Sequence, residues 1–289
     1  MAFKEMDKQT LEKVHATGLE ILIKVDEICK KYDIPYFLCG GTLLGSIRHK
    51  GFIPWDDDID IGMLRKDYIK FRECFLKENP EEYFLHSYET DENYWLPFMK
   101  VRKNGTTINE KLIEHIDTHK GLFLDIFPFD EVPDDGFSKL KIRSFLIKLT
   151  IEAIFCKRNI SKIKNTRRPY FTKIMCLLSS KTIIKLQNKL MTNYNGKGFS
   201  HCICYVGTYN TSKEYIKISD IYPTKKGTFE DKEFNIPNAP DVYLTNLYNN
   251  YMELPPKEKR VNHNAVDISF TKGKVWKNGE LNENKKKCS

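Results

Sequence analysis

Apolar positions along this chain recur at two spacings, and the changes between them mark out its elements. Leu11, Val14, Leu22, Val25 and Ile28 fall on one helical face with Lys and Glu between them, which predicts a helix over about 8–32, stopped by Pro35. A short apolar strand follows over 36–39, then a turn at Gly40-Gly41 and a short helix over 43–49 with Thr42 as its N-cap. A loop through Gly51 and Pro54 leads to a strand over 59–63 and a helix over 65–77. Strands are expected at 94–101 and 122–127. This order implies an α+β fold, a mixed β-sheet flanked by helices.

From 138 to about 195 the pattern becomes helical, with Leu140, Leu149 and Ile154 in one part and Ile174, Ile183 and Leu190 in another, broken near 165–169. A hairpin at 227–237 and a helix at 241–251 complete the pattern. The expected organisation is therefore a catalytic core over 1–136, a helical insertion over 137–200, and the rest of the core over 201–289.

Charge changes the picture most in the insertion. Residues 137–200 hold fifteen Lys and Arg against the single acid Glu152, whereas the whole chain has a net charge of +8. Such a stretch is either a solvated basic face or a surface for an anionic membrane or another polyanion. Its intervening residues are mostly aliphatic, and single-strand nucleic-acid binders interleave aromatics, so no nucleic acid is expected.

Charged residues interrupt the first twenty positions, and no apolar run reaches a bilayer's thickness, so the expected location is cytoplasmic, with peripheral contact at the inner membrane face. The eight cysteines are scattered. Cys202-Ile203-Cys204 lacks a second pair or nearby His, and the cysteines read as reduced structural thiols rather than a zinc site.

The chemistry concentrates at 40–62. In an extended strand Asp58 and Asp60 share a face while Ile59 and Ile61 point to the core, so two carboxylates lie side by side. Like charges this close call for a cation, and hard oxygen ligands select Mg²⁺ or Mn²⁺. Asp56-Asp57-Asp58-Ile59-Asp60 alone also fits an acidic surface turn, although the spacing excludes an EF-hand. Gly40 and Gly41 at a helix N-terminus would admit a phosphate, with Thr42, Gly45 and Ser46 behind them and Arg48, His49 and Lys50 supplying positive charge. Asp125, in the apolar run 121–128, needs a partner: a metal or a reacting hydroxyl, or, as a structural carboxylate, the backbone or a Lys. Lys100 and Arg102 alternate onto one strand face and are candidates for phosphate contact or a solvated edge.

Three stretches, GGTLLGSIRHKGFIPWDDDIDIGM at 40–63, GLFLDIFPFD at 121–130, and FEDKEFNIP with YMELPPKEKRVNH at 229–237 and 251–263, resemble the LicD family of phosphotransferases. The resemblance implies a nucleotidyltransferase-like fold with Asp58, Asp60 and Asp125 as metal-binding and catalytic acids. It implies that Arg260 and His263, with Lys100 and Arg102, contact nucleotide and phosphate. It also implies transfer of a phospho-alcohol, phosphocholine favoured, from a CDP-activated donor to a hydroxyl of a cell-surface glycan or its lipid-linked precursor, with release of CMP. Trp55, Tyr94 and Trp95 are a candidate wall for a quaternary ammonium, or core packing. The same acids would serve a nucleotidyltransferase that moves NMP from NTP. A non-catalytic membrane or nucleic-acid binder would leave them without a purpose.

Overall fold

The computed structural model describes residues 6–110, 114–135, 137–159, 170–256, 258, 260, 265–271, 276–277 and 280–281. Its elements in chain order are α1 Lys8–Lys31, β1 Phe37–Leu38, α2 Gly40–Arg48, β2 Asp60–Leu64, α3 Arg65–Glu78, β3 Tyr83–His86, β4 Met99–Lys103, β5 Thr107–Glu110 and β6 Phe123–Val132. There follow α4 Phe137–Asn159, α5 Tyr170–Met175, α6 Ser180–Thr192, β7 His201–Ile203, α7 Thr211–Glu214, β8 Tyr215–Lys217, α8 Ile218–Ile221, β9 Lys225–Phe229, β10 Lys232–Ile236, α9 Pro240–Tyr248 and β11 Ala265–Ser269.

Helix α1 starts where Asp7 accepts the Thr10 amide at 2.9 Å, and it ends in Lys30 and Lys31, which complement the dipole. The main sheet runs β1-β2-β6-β4-β3, with β2 and β6 parallel and the other neighbours antiparallel. Beyond β4, the far half of β6 pairs with β7, which pairs with β8. The fold is thus α+β with a mixed sheet.

Strand β6 runs five residues past the expected end at Phe127, through Pro128. Pairing with β4 stops at Ile126 and pairing with β7 starts at Asp130, so the proline sits where that edge has no neighbour to be denied a bond. Strand β4 is shorter than expected at its start, because the Tyr94 amide bonds to Asp91 O in a turn.

Alternation gives the sheet two unlike faces. Ile61, Met63, Leu124, Ile126, Met99 and Val101 share one buried core with Val25 of α1 and Phe71 and Phe75 of α3. The residues between them, Asp60, Asp125, Lys100 and Arg102, take the other face, and the register aligns Asp60 with Asp125, Asp125 with Lys100, and Lys100 with His86. One polar row therefore crosses four strands.

The described residues of the basic segment form three helices, α4, α5 and α6, and the expected break at 165–169 lies outside them. The helices pack around small cores of their own: Ala153, Ile154 and Ile183 against Trp95, and Leu140, Ile147 and Met191 against Val132 and Ile203. No helix among the described residues is long and apolar enough to cross a membrane.

Candidate active site

Helix α2 begins at Gly40, three residues earlier than expected, with Cys39 as a cap that makes no side-chain bond. Thr42 is not the N-cap: it lies inside the first turn, and its Oγ1 accepts the Asp60 amide at 2.7 Å, tying the helix to the start of β2. Gly40 adopts φ +53°, and a Cβ there would meet Asp60 Oδ2 at 2.8 Å. A Cβ on Gly41 would meet Asp56 Oδ2 at 2.6 Å. The close approach that these glycines permit is thus made by the chain's own carboxylates, which the positive end of α2 favours.

Strand β2 starts at Asp60, so Asp58 is in the preceding loop and not in strand alternation with it. There its carboxylate gathers with those of Asp56 and Asp57, with one oxygen from each all within 4.8 Å of one another. His15 of α1 holds this loop, donating from Nε2 to the Asp56 carbonyl at 2.7 Å while its ring stacks on Phe52 at 3.9 Å. Burial, against that bond, lowers the His15 pKa. The rings of Tyr209 and Tyr248 pack edge to face at 5.4 Å, close enough to Asp56 and Asp60 to feel their charge.

Asp125 lies opposite Asp60 on the neighbouring parallel strand. Lys100 Nζ is 2.7 Å from its Oδ1 and 3.0 Å from its Oδ2, but only the Oδ2 contact has hydrogen-bond geometry, which leaves Oδ1 buried without a hydrogen bond. The ammonium also sits 3.5 Å above the Phe123 ring. Neither Lys100 nor Arg102 is on a solvated edge. Arg102 is fully buried, donating from Nε to His86 Nδ1 at 2.8 Å and from Nη1 to Gly121 O at 2.7 Å.

Because a guanidinium can only donate, His86 Nδ1 is an acceptor and its Nε2 carries the proton, which it gives to Asp91 Oδ2 at 2.8 Å. Burial depresses the His86 pKa to about 3, so the ring is neutral. Burial pushes the Asp91 carboxyl up, but its bonds from His86, Thr118 and Asn93 outweigh this and hold it at about 2. This network lies beside Lys100, whose register partner is His86, and nothing in the sequence pattern pointed to His86 or Asp91.

The other candidate residues have partners within the chain. Ser46 Oγ donates to Thr228 O at 2.7 Å, and a Cβ on Gly45 would meet Gly51 O at 2.3 Å, so both hold α2 against its surroundings. Arg48 Nη1 donates to Tyr251 O at 2.6 Å. Lys50, exposed at φ 63°, gives its carbonyl to the Glu230 amide at 2.8 Å. Arg260 stacks over Trp55 at 4.7 Å and donates to Pro255 O at 2.9 Å. His263 lies outside the described residues. The three aromatics do not form one wall: Tyr94 and Trp95 pack on each other and on His86 and Phe155, whereas Trp55 meets His49 and Arg260.

The donor set fits a hard divalent cation. It is the Asp56, Asp57 and Asp58 carboxylates, one oxygen of each within 4.8 Å of the others, and hard oxygen ligands alone suit such an ion.

Residues 33–144 match the family model described as LicD/FKTN/FKRP, nucleotidyltransferase domain. The chain is 29% identical over 265 residues to the lipopolysaccharide cholinephosphotransferase LicD of Haemophilus influenzae, covering 91% of this chain and 98% of that protein. It is 30% identical over 135 residues to the uncharacterized protein RP689 of Rickettsia prowazekii, covering 46% and 47% of the two chains. Over 62 residues it is 40% identical to the uncharacterized protein RT0683 of Rickettsia typhi, covering 22% and 20%. The matched domain contains Asp60, Asp125 and Lys100.

Proposed function

Because this chain belongs to the LicD family, we propose that it is a phosphotransferase of nucleotidyltransferase-like fold that moves phosphocholine from CDP-choline to a hydroxyl of a glycan or its lipid-linked precursor, releasing CMP. The observation that carries this reading is the register of Asp60 with Asp125 on parallel strands, beside the first turn of α2 and the Asp56–Asp58 loop. Choline is favoured by the name of the Haemophilus relative rather than by the aromatic residues.

In this reading Asp58 and Asp60, joined by Asp56, hold Mg²⁺ or Mn²⁺, which would offset charge on the donor phosphates. The acceptor oxygen forms a bond to the distal phosphorus as the bond from that phosphorus to the CMP oxygen breaks. The acceptor's proton passes to Asp125, which the Lys100 ammonium holds in place. Arg48 and Arg260, near one another beside Trp55, supply positive charge on the nucleotide side.

The test is incubation of the purified protein and Mg²⁺ with CDP-choline, CDP-ribitol, CDP-glycerol and the four NTPs, scored by product. The expected result is CMP from a CDP-alcohol, choline first, abolished by EDTA. Pyrophosphate from an NTP would replace the reading with nucleotidyl transfer.

A further inference from the structure

Helix α4 is apolar on two opposite sides. Leu140, Ile147 and Ile154 point into the small helical cores, as amphipathic packing requires. On the far side Ile142, Phe145 and Leu146 are 63%, 56% and 40% exposed, three large apolar side chains on one patch of a helix that carries many lysines.

At 100° per residue these three span about 100° of the helix circumference, with Lys139 on one border and Lys141 and Lys148 on the other. All three lysines are exposed. Further along, α5 lies on the same side of α4, where Lys157 donates to Cys176 O at 3.0 Å, and Leu177 just beyond α5 is 85% exposed.

An apolar stripe bordered by long cationic side chains matches the boundary of an anionic bilayer: the apolar groups enter the acyl region while the lysine stems run along it and the ammonium groups reach the headgroups. A protein partner needs compensating acids, which the bilayer supplies as phosphates. The insertion itself has only Glu152, whose carboxylate accepts from Thr172 at 3.3 Å. Lys148, on one border of the stripe, is close enough to Glu214 of α7 to act on its charge.

We propose that the exposed face of α4, centred on Ile142, Phe145 and Leu146 with Lys139, Lys141 and Lys148 as its borders, docks the protein on an anionic membrane surface. Lys157 and Arg158 are not part of it, since Lys157 bonds to Cys176 O and Arg158 lies over the Tyr88 ring. The proposal stands apart from the transfer chemistry, because binding is read without turnover.

The test is co-sedimentation of the full chain with vesicles of phosphatidylcholine alone or with 30% phosphatidylglycerol (an assay composition of about that value) over a salt series. Wild-type protein is expected on the anionic vesicles at low salt and released as salt rises. The triple variant I142S/F145S/L146S and the variant K139E/K141E should each weaken binding at least about tenfold while keeping the wild-type melting temperature and CDP-choline cleavage. Binding by the triple variant equal to wild type, equal binding to neutral vesicles, or no binding at low salt would each overturn the proposal. A concentration-dependent dimer abolished by the triple variant, without vesicle binding, would replace the bilayer with a second copy of the chain.

Discussion

Asp60 and Glu214 illustrate how single carboxylates are tuned by where they sit. Asp60 lies against Gly40 at the first turn of α2 and its amide is held by Thr42, so Asp60→Asn keeps the shape and removes one negative ligand. Turnover should fall by at least about a hundredfold, as should that of Asp58→Asn, with the melting temperature within a few degrees of wild type. Titration of Mg²⁺ should show weakened metal dependence, and near-normal activity in both variants would remove these acids from the mechanism. Glu214 is a different case, since burial, against the Tyr209 amide and Lys148, raises its pKa from 4.5 to about 7. A raised acid binds its proton more tightly in the folded state, so its contribution is fully present below 4.5 and is lost as pH rises towards 7. The loss is roughly 3 kcal/mol for a shift of this size. Glu214→Gln should therefore match wild type near pH 4.5 and exceed it in denaturant stability at pH 8. A difference that does not change with pH would refute this account.

At the scale of the element, α2 separates two roles that its sequence runs together. Gly40 needs its positive φ and the space that Asp60 fills, so Gly40→Ala should cost about 1–2 kcal/mol in backbone strain and displace the carboxylate, lowering kcat well beyond the loss of stability. Ser46→Ala removes only the bond to Thr228 O and should cost about 1 kcal/mol with the KM for donor unchanged. A large rise in KM for Ser46→Ala would restore the phosphate-holding role expected from the motif. The hairpin of β9 and β10 has the same supporting character. Glu230 at its turn accepts the Phe52 amide at 2.9 Å, which explains why the 229–237 segment accompanies the acidic motif.

Across the whole molecule, α3, the sheet and the end of the helical insertion share one buried carboxylate, Asp130. Arg65, at the first position of α3, donates from Nε and Nη2 to the two oxygens of Asp130 at 2.8 and 2.7 Å, and Asn195 after α6 donates to the same carboxylate at 2.6 Å. Asp130 is fully buried, so Arg65→Met leaves its charge with the Asn195 amide but without its main partner. A loss of about 3–5 kcal/mol is expected, measured by chemical denaturation. The double variant R65M/D130L should recover much of it, and failure to recover would assign Arg65 a role beyond pairing.

The sequence by itself determined the long helices, the hairpin, the α+β class and the neighbourhood of the acids. Each of these depends on periodicity, Gly and Pro punctuation or a contiguous motif, and such signals are local. The strand ends were less legible, because β6 passes Pro128 only by virtue of a gap between its two neighbours. Pairing across strands was beyond reach as well: that Asp125 stands beside Asp60, that Lys100 pairs with it, and that His86 lies next to Lys100 all follow from register between separate segments of the chain. Tertiary structure also decided what the glycines of α2 admit and which lysines of the basic stretch remain at the surface. A sequence states which groups a chain owns, but burial and register set which of them meet, and charge in a low-dielectric interior is governed by that meeting.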